Sequence, residues 1–221
     1  DLDGYTRAYN SMHNWANDWA THGVEWIPGT ALYDFCNAFP TMLHEWLFMI
    51  LKVYEVPIKL RWLIWWLYTE ISAYSSGSGD GGFLFFVLAG VKTGCPLSSV
   101  LFLLGVNPIV DLFLLITDGP KLSATRVCAD DFGSAMRHIR VLKKHASIFD
   151  VAARVTGLIL KPEKCVLIIS GVVLTEDLVR SIKKWLREVV PALADINIAP
   201  AGKYLGIFLG QKAVALSFKE P

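Results

Sequence analysis

Cys128-Ala129-Asp130-Asp131-Phe132 constrains this chain more than any other stretch, because two adjacent carboxylates sit between two runs that read as strands. Ala124 to Cys128 (ATRVC) has strand character, and Phe132 to Met136 (FGSAM) can return antiparallel to it. Asp130 and Asp131 then lie at the tip of a short hairpin. Like charges a few Å apart on a tight turn repel unless something compensates. A divalent cation is the usual compensation, and a hard one such as Mg²⁺ prefers carboxylate oxygens. On the pair alone, polar turn residues are the simpler description, since Asp is common in turns. A third carboxylate, Asp34, and the blocks lying between shift that balance.

The remaining elements follow from spacing. Tyr5, Tyr9, Met12, Trp15 and Trp19 recur at three- and four-residue steps, so a helix is expected over 5–20, stopped by Gly23. Thr30 to Phe35 follows Pro28-Gly29 as a strand, with Thr30, Leu32 and Asp34 on one face. Helices are expected over 40–54 and 58–71, then a Ser/Gly-rich linker over 72–82 with Phe83 to Leu88 returning as a strand. Further helices are expected over 97–115, 137–156 (ended by Gly157) and 175–189 (capped by Thr175), and strands over Cys165 to Ser170, Ile196 to Ala199 and Tyr204 to Leu209.

Composition limits the function classes. Residues 1–120 carry 5 Lys/Arg against 11 Asp/Glu, and residues 121–221 carry 16 against 9. The acidic half can hold cations while the basic half faces a polyanion, although an ordinary solvated surface has the same charge. Cys36, Cys95, Cys128 and Cys165 show no zinc spacing and read as free thiols. His13, His22, His44, His138 and His145 have no metal spacing either. The 53% hydrophobic content requires a large core or a surface that a partner covers. Residues 97–117 are nearly apolar and about long enough to span a membrane, but Asn107, Pro108 and Asp111 interrupt them, and charges break up 42–68; buried core helices are the better reading, and no membrane is expected. The opening at Asp1 without Met and the end at Pro221 suggest part of something longer.

Five blocks in order carry a family pattern: ALYDFCNAFP with Asp34, GVKTGCPLSS (90–99), CADDF, GLILKPEKC (157–165) and KYLGIFLG (203–210). Over roughly 25–212 their order and spacing resemble the reverse transcriptase domain of non-LTR (LINE-like) retrotransposons. The resemblance implies an α+β polymerase palm, an antiparallel sheet of three or four strands with a ferredoxin-like (RRM-like) core packed on helices. Residues 1–24 would be an N-terminal helix and partial fingers, residues 25–221 the palm with helical insertions, and no thumb would follow. The implied function is RNA-directed DNA synthesis from dNTPs onto a DNA primer along an RNA template. It would use two Mg²⁺ ions, with Mn²⁺ as a substitute, in an intracellular protein that the family places in the nucleus.

The resemblance also implies roles. Asp34 and Asp130 would be the main metal ligands and catalytic residues, with Asp131 supporting and the Phe35 backbone carbonyl coordinating. Two ions roughly 3.5–4 Å apart need carboxylates converging from different strands. Phe39 would be the sugar gate, and Thr93, Gly94, Cys95, Pro96 and Ser98 the turn meeting incoming nucleotide and template. Lys164 would serve the leaving pyrophosphate, and Tyr204, Leu205 and Gly206 would grip the primer. Taken singly, Phe39 is a core ring, Gly94 to Ser98 a loop-to-helix junction, Lys164 a solvated lysine and Tyr204 to Gly206 an edge hairpin.

Departures are informative. Pro40 replaces an acidic residue and Thr93 a Gln, and the basic fingers segment, thumb, endonuclease and zinc-knuckle regions have no counterpart, which implies that they belong to the parent polyprotein. The rival readings are a degenerate relic that binds nucleic acid or protein without catalysis, and a small membrane protein built on 42–68 and 97–117. A nucleotide cyclase sharing the palm core lacks a supporting signature.

Overall fold

Residues 29–33 form the strand around which the sheet is assembled (β1, Gly29–Tyr33), and it is paired along both edges. This is a computed structural model, and it describes residues 23–76, 82–92, 94–211 and 213. The helix expected over 5–20, the bulk of the partial-fingers segment 1–24, Thr93 and most of the linker's tip lie outside the described residues. After β1 come α1 (Ala38–Thr41), α2 (His44–Val53) and α3 (Ile58–Tyr68). A hairpin of β2 (Ser72–Tyr74) and β3 (Phe83–Phe86) leads to α4 (Pro96–Phe113). Then follow β4 (Ser123–Cys128), β5 (Asp131–Met136), α5 (Leu142–Thr156), β6 (Val166–Ile169), α6 (Glu176–Val189), β7 (Asn197–Ala199), β8 (Ala201–Tyr204) and β9 (Ile207–Gly210).

The main sheet has the order β4-β5-β1-β6-β7. Its first four strands are antiparallel neighbours, and their chain order β1, β4, β5, β6 reproduces the expected split βαβ arrangement. The fifth strand differs from the expectation. β7 pairs parallel with β6, because α6 carries the chain back over the sheet as a crossover. Three boundaries also move. The helix expected over 40–54 is split at Met42-Leu43, the long helix 137–156 begins only at Leu142, and the strand expected over 204–209 turns back at Leu205-Gly206 to make two strands. Part of the linker, Ser72 to Tyr74, is strand. Thr175 caps α6 as expected, its hydroxyl accepting from the Leu178 amide, and Gly157 ends α5 at φ 81°.

Alternation along the strands separates two faces. Ala31, Tyr33, Phe132, Ser134, Met136, Leu167 and Ile169 are buried against α4 and α5. An aromatic cluster fills that layer: Phe132 lies 5.4 Å from Phe35 and 6.0 Å from Phe113, and Tyr33 lies 4.7 Å from Phe149. α4 packs Leu101, Phe102, Val106, Ile109 and Phe113 into the core. With its extension to Asp118 it is long and apolar enough to cross a membrane; in this fold one side of it is core, while Val100, Leu103, Leu114 and Leu115 stay exposed. Elsewhere apolar side chains stay open, notably Trp62, Trp65 and Trp66 on α3 and all four residues of β3.

A polar chain runs through the same layer. Tyr33 Oη and His145 Nδ1 share a hydrogen bond of 2.7 Å, and His145 Nε2 lies 3.5 Å from Ser123 Oγ. Ser123 Oγ donates to Asp118 (2.7 Å), which also accepts from the Thr125 amide (2.7 Å) and hydroxyl (3.1 Å). Burial alone would raise the Asp118 carboxyl, but these donors and Thr117 outweigh it and hold it below its ordinary value. Burial pushes the His145 imidazole down from 6.5 to about 3, against the pull of Asp118. An unfolded chain protonates His145 below pH 6.5 while the fold does not until about 3, so stability is full above that window and is lost on acidification. Urea unfolding should therefore show His145→Gln losing less stability than wild type between pH 6.5 and 5, by up to about 1.4 kcal/mol per pH unit. Equal slopes would mean that His145 is protonated inside the fold.

Candidate active site

The last pairing between β1 and β5 is Tyr33 with Phe132, so the next residue outward on each strand is a carboxylate, Asp34 beside Asp131. Cys128 pairs with Asp131 across the hairpin, leaving Ala129 and Asp130 as a two-residue turn. Ala129 adopts φ 54°, a left-handed conformation that disfavours a residue with a Cβ. Because Tyr33, Phe35 and Phe132 point into the helical layer, Asp34 and Asp131 point to the opposite, open face. Asp34, Asp130 and Asp131 are all exposed.

Asp34 is fixed from its other side by the segment after α5. Its carbonyl accepts from the Lys161 amide (2.9 Å), and the Cys36 amide donates to the Ile159 carbonyl (2.8 Å). Those two bonds bracket the bridge between Phe35 and Leu160, so the Phe35 carbonyl is turned away from that segment. The Asp34 amide reaches the buried Cys165 sulfur at 3.4 Å, and the thiol contacts the Lys161 carbonyl at 3.4 Å. Burial drives that thiol up to about 11, leaving it a neutral partner for the backbone. From the sequence, Cys165 reads only as a free thiol. Its position at the end of the block GLILKPEKC is the one signal that sets it apart.

Burial, then the charges of Asp130 and Asp34, raises the Asp131 carboxyl above its usual range. The Asp131 carboxyl therefore senses both neighbours, one on its own turn and one on the adjacent strand. A set of hard oxygen donors around an unneutralised negative potential fits Mg²⁺ or Mn²⁺. Among the described residues no three His, Cys, Asp or Glu side chains are drawn close enough to cage an ion. The backbone register brings the three carboxylates to one end of the sheet.

The other expected residues gather around this end to different degrees. Phe39 is half-buried and stacked on Phe102, ring centroids 4.2 Å apart at 12°. Its carbonyl accepts from the Val91 amide (2.9 Å), which brings the block 90–99 alongside the residues following Asp34. Gly94 is exposed at φ 83°, Cys95 precedes α4, and Pro96 occupies its first turn, where its missing N–H costs nothing. Ser98 departs from the expectation of a group offered to a ligand. It is 4% exposed, and its hydroxyl donates to the Lys92 carbonyl (2.5 Å) and contacts Tyr68 Oη (3.3 Å). Lys164 is exposed in the turn following Lys161, its amide donating to the Lys161 carbonyl (2.9 Å). Leu205 (φ 48°) and Gly206 (φ 83°) form the exposed two-residue turn of β8–β9, and Tyr204 lies against the β4–β5 hairpin. Tyr68, which also accepts from the Lys92 amide (3.3 Å), is invisible to sequence reasoning because an aromatic at the end of an apolar helix carries no distinguishing pattern.

Two stability effects follow. Leu205 is 51% exposed in a conformation that favours Asn followed by Gly, so Leu205→Asn should stabilise the protein by about 1 kcal/mol in chemical denaturation. A loss would mean that the leucine side chain packs more than it strains. Because Asp131 binds its proton more tightly folded than unfolded, its ionised form lowers stability at neutral pH, a cost that fades as the group protonates. In metal-free buffer Asp131→Asn should melt above wild type at pH 7, and the difference should close near about pH 4.

Comparison with known proteins bears on the same elements. A direct comparison with characterised protein sequences finds no match. Solved structures give the fold: apo telomerase from Candida tropicalis lacking its C-terminal domain aligns at TM-score 0.56 and 13% identity over 93% of this chain and 38% of that one. The longer Candida tropicalis apo telomerase aligns at 0.54 and 13% over 75% of this chain, and telomerase from Candida albicans with a fragment of telomeric RNA at 0.51 and 11% over 93%; each alignment covers 32% of the telomerase chain. The chain thus spans about a third of the length of these neighbours. A family model described as reverse transcriptase (RNA-dependent DNA polymerase) matches residues 25–209. With a palm-like sheet on helices and a match across most of its length, the chain belongs to the reverse transcriptase family.

Proposed function

We propose that this chain is the palm-centred part of a non-LTR (LINE-like) retroelement reverse transcriptase, extending a DNA primer with dNTPs along an RNA template. The observation that carries the reading is the meeting of Asp34 with the Asp130-Asp131 turn at the open end of adjacent strands. Asp34, Asp130 and the Phe35 carbonyl, supported by Asp131, would hold two Mg²⁺ ions, for which Mn²⁺ would substitute. The chemistry such a pair supplies is activation of the primer 3′-hydroxyl and neutralisation of the triphosphate.

The chain's own groups do the positioning. The Phe39 ring, held flat on Phe102, closes the space beside the sugar of an incoming nucleotide. Gly94, Cys95 and Pro96 form the turn that opens α4, setting the positive end of that helix beside the incoming nucleotide. Ser98 acts one step removed, holding the Lys92 end of that turn. Lys164 is the candidate proton donor or counter-charge for pyrophosphate, and the Leu205-Gly206 turn receives the primer end. Fingers, thumb and endonuclease regions of a parent polyprotein would complete the enzyme, acting in the nucleus.

Primer extension tests the reading. In the full-length protein, Asp130→Asn should lower extension by at least about 100-fold. Unchanged function would instead favour the non-catalytic relic. Residues 1–221 alone should extend a primer weakly or not at all, because duplex affinity rests on basic modules beyond them; processive synthesis by this segment would refute that expectation.

A further inference from the structure

Tyr204 closes β8, and its side chain lies on the open face beside the β4–β5 hairpin. The β8–β9 hairpin sits against that face, with a Cβ at Gly202 only 3.1 Å from both Leu32 and Ile168 side-chain atoms. The phenol ring covers Gly133, where a Cβ would stand 3.1 Å from two ring carbons. The hydroxyl donates to the Arg126 carbonyl (3.0 Å) and the Asp131 carbonyl (3.3 Å). Arg126 pairs with Gly133 and Cys128 with Asp131, so one hydroxyl joins both arms of the hairpin just below Ala129 and Asp130. The next two residues after Tyr204 are the exposed turn itself. A single rigid ring therefore separates the turn at Leu205-Gly206 from the backbone of Asp131.

This constellation has no need of a ligand to explain the packing of Gly133, but it gives the turn a direct mechanical hold on the carboxylates. The Ala129 conformation is strained, so the tip has a reason to relax when the hold is released. Burial, with the charge of Asp131, raises the phenol above its ordinary value and keeps it a donor.

We propose that Tyr204 is a positioning residue that couples the β8–β9 turn to the Asp130-Asp131 hairpin, so that a primer strand at Leu205-Gly206 and a divalent ion at the carboxylates strengthen each other's binding. This rests on the polymerase reading for the identity of the two ligands. By linkage the effect is reciprocal: the factor by which primer–template tightens the ion is the factor by which the ion tightens primer–template.

The test uses the full-length protein, with Mn²⁺ binding followed by electron paramagnetic resonance and primer–template binding by fluorescence anisotropy. In wild type, duplex should tighten Mn²⁺ by about 5-fold or more, and Mn²⁺ should tighten duplex equally. Tyr204→Phe keeps the ring and loses the two bonds; compared with its own affinities for each ligand alone, it should show almost no mutual enhancement. Gly133→Ala keeps the hydroxyl and displaces the ring, and should give the same loss. Retained enhancement in either variant overturns the proposal. If Asp130→Asn leaves wild-type Mn²⁺ binding unchanged, the polymerase reading fails and this one with it.

Discussion

The antiparallel pairing of β1 with β5, from Gly29 opposite Met136 to Tyr33 opposite Phe132, is the constraint on which the rest depends. It sends alternate side chains to opposite faces and stops one residue short of two carboxylates. Tyr33, Phe35 and Phe132 are carried into the helical layer, and Asp34 and Asp131 are left side by side in solvent. The balance of energies favours this arrangement. Burying each large apolar side chain contributes about 1.5–3 kcal/mol, whereas two charges at about 4 Å in water repel by about 1 kcal/mol. The core can therefore hold the acidic end together, provided its charges stay exposed, and all three are.

The site end of the sheet carries several costs together. Asp131 is crowded by Asp34 and Asp130, Ala129 and Leu205 sit at positive φ, and the Asp34 amide is met by a thiol rather than an oxygen. Residues that place charge or strain where the fold gains nothing are those that a ligand must repay, which is why such features gather at functional sites. At the far end one charge is fully met. Asp118 takes donors from Thr117, Ser123 and Thr125, and the network continues through His145 to Tyr33, the residue next to Asp34.

Much of this is legible in the amino-acid order alone. The hairpin around Asp130-Asp131, the strand leading to Asp34, the capped helix after Thr175 and the stop at Gly157 are readable because each rests on local chemistry: alternation, a side-chain cap, a left-handed terminus. The five blocks announce the family because their order is written along the chain. The parallel strand β7 is also implicit, since a strand, a helix and a strand in succession require a crossover, but that consequence needs the neighbour of β6 to be known. Ser98 and Cys165 escape a sequence reading for one shared reason. A small polar side chain reads the same whether it faces a ligand or closes a backbone bond inside the fold.

What the sequence determined by itself was the kinds of group present and the local form of each segment: carboxylates at a turn, aromatics spaced to enter a core, a glycine where φ must be positive. Only the tertiary structure decided which of those groups meet. Asp34 stands beside Asp131, Cys165 beneath Asp34 and Tyr204 across the hairpin because strands distant in the chain are paired in one register. Register is a property of the whole sheet, set by the burial of every strand together rather than by any residue's own neighbours in the chain.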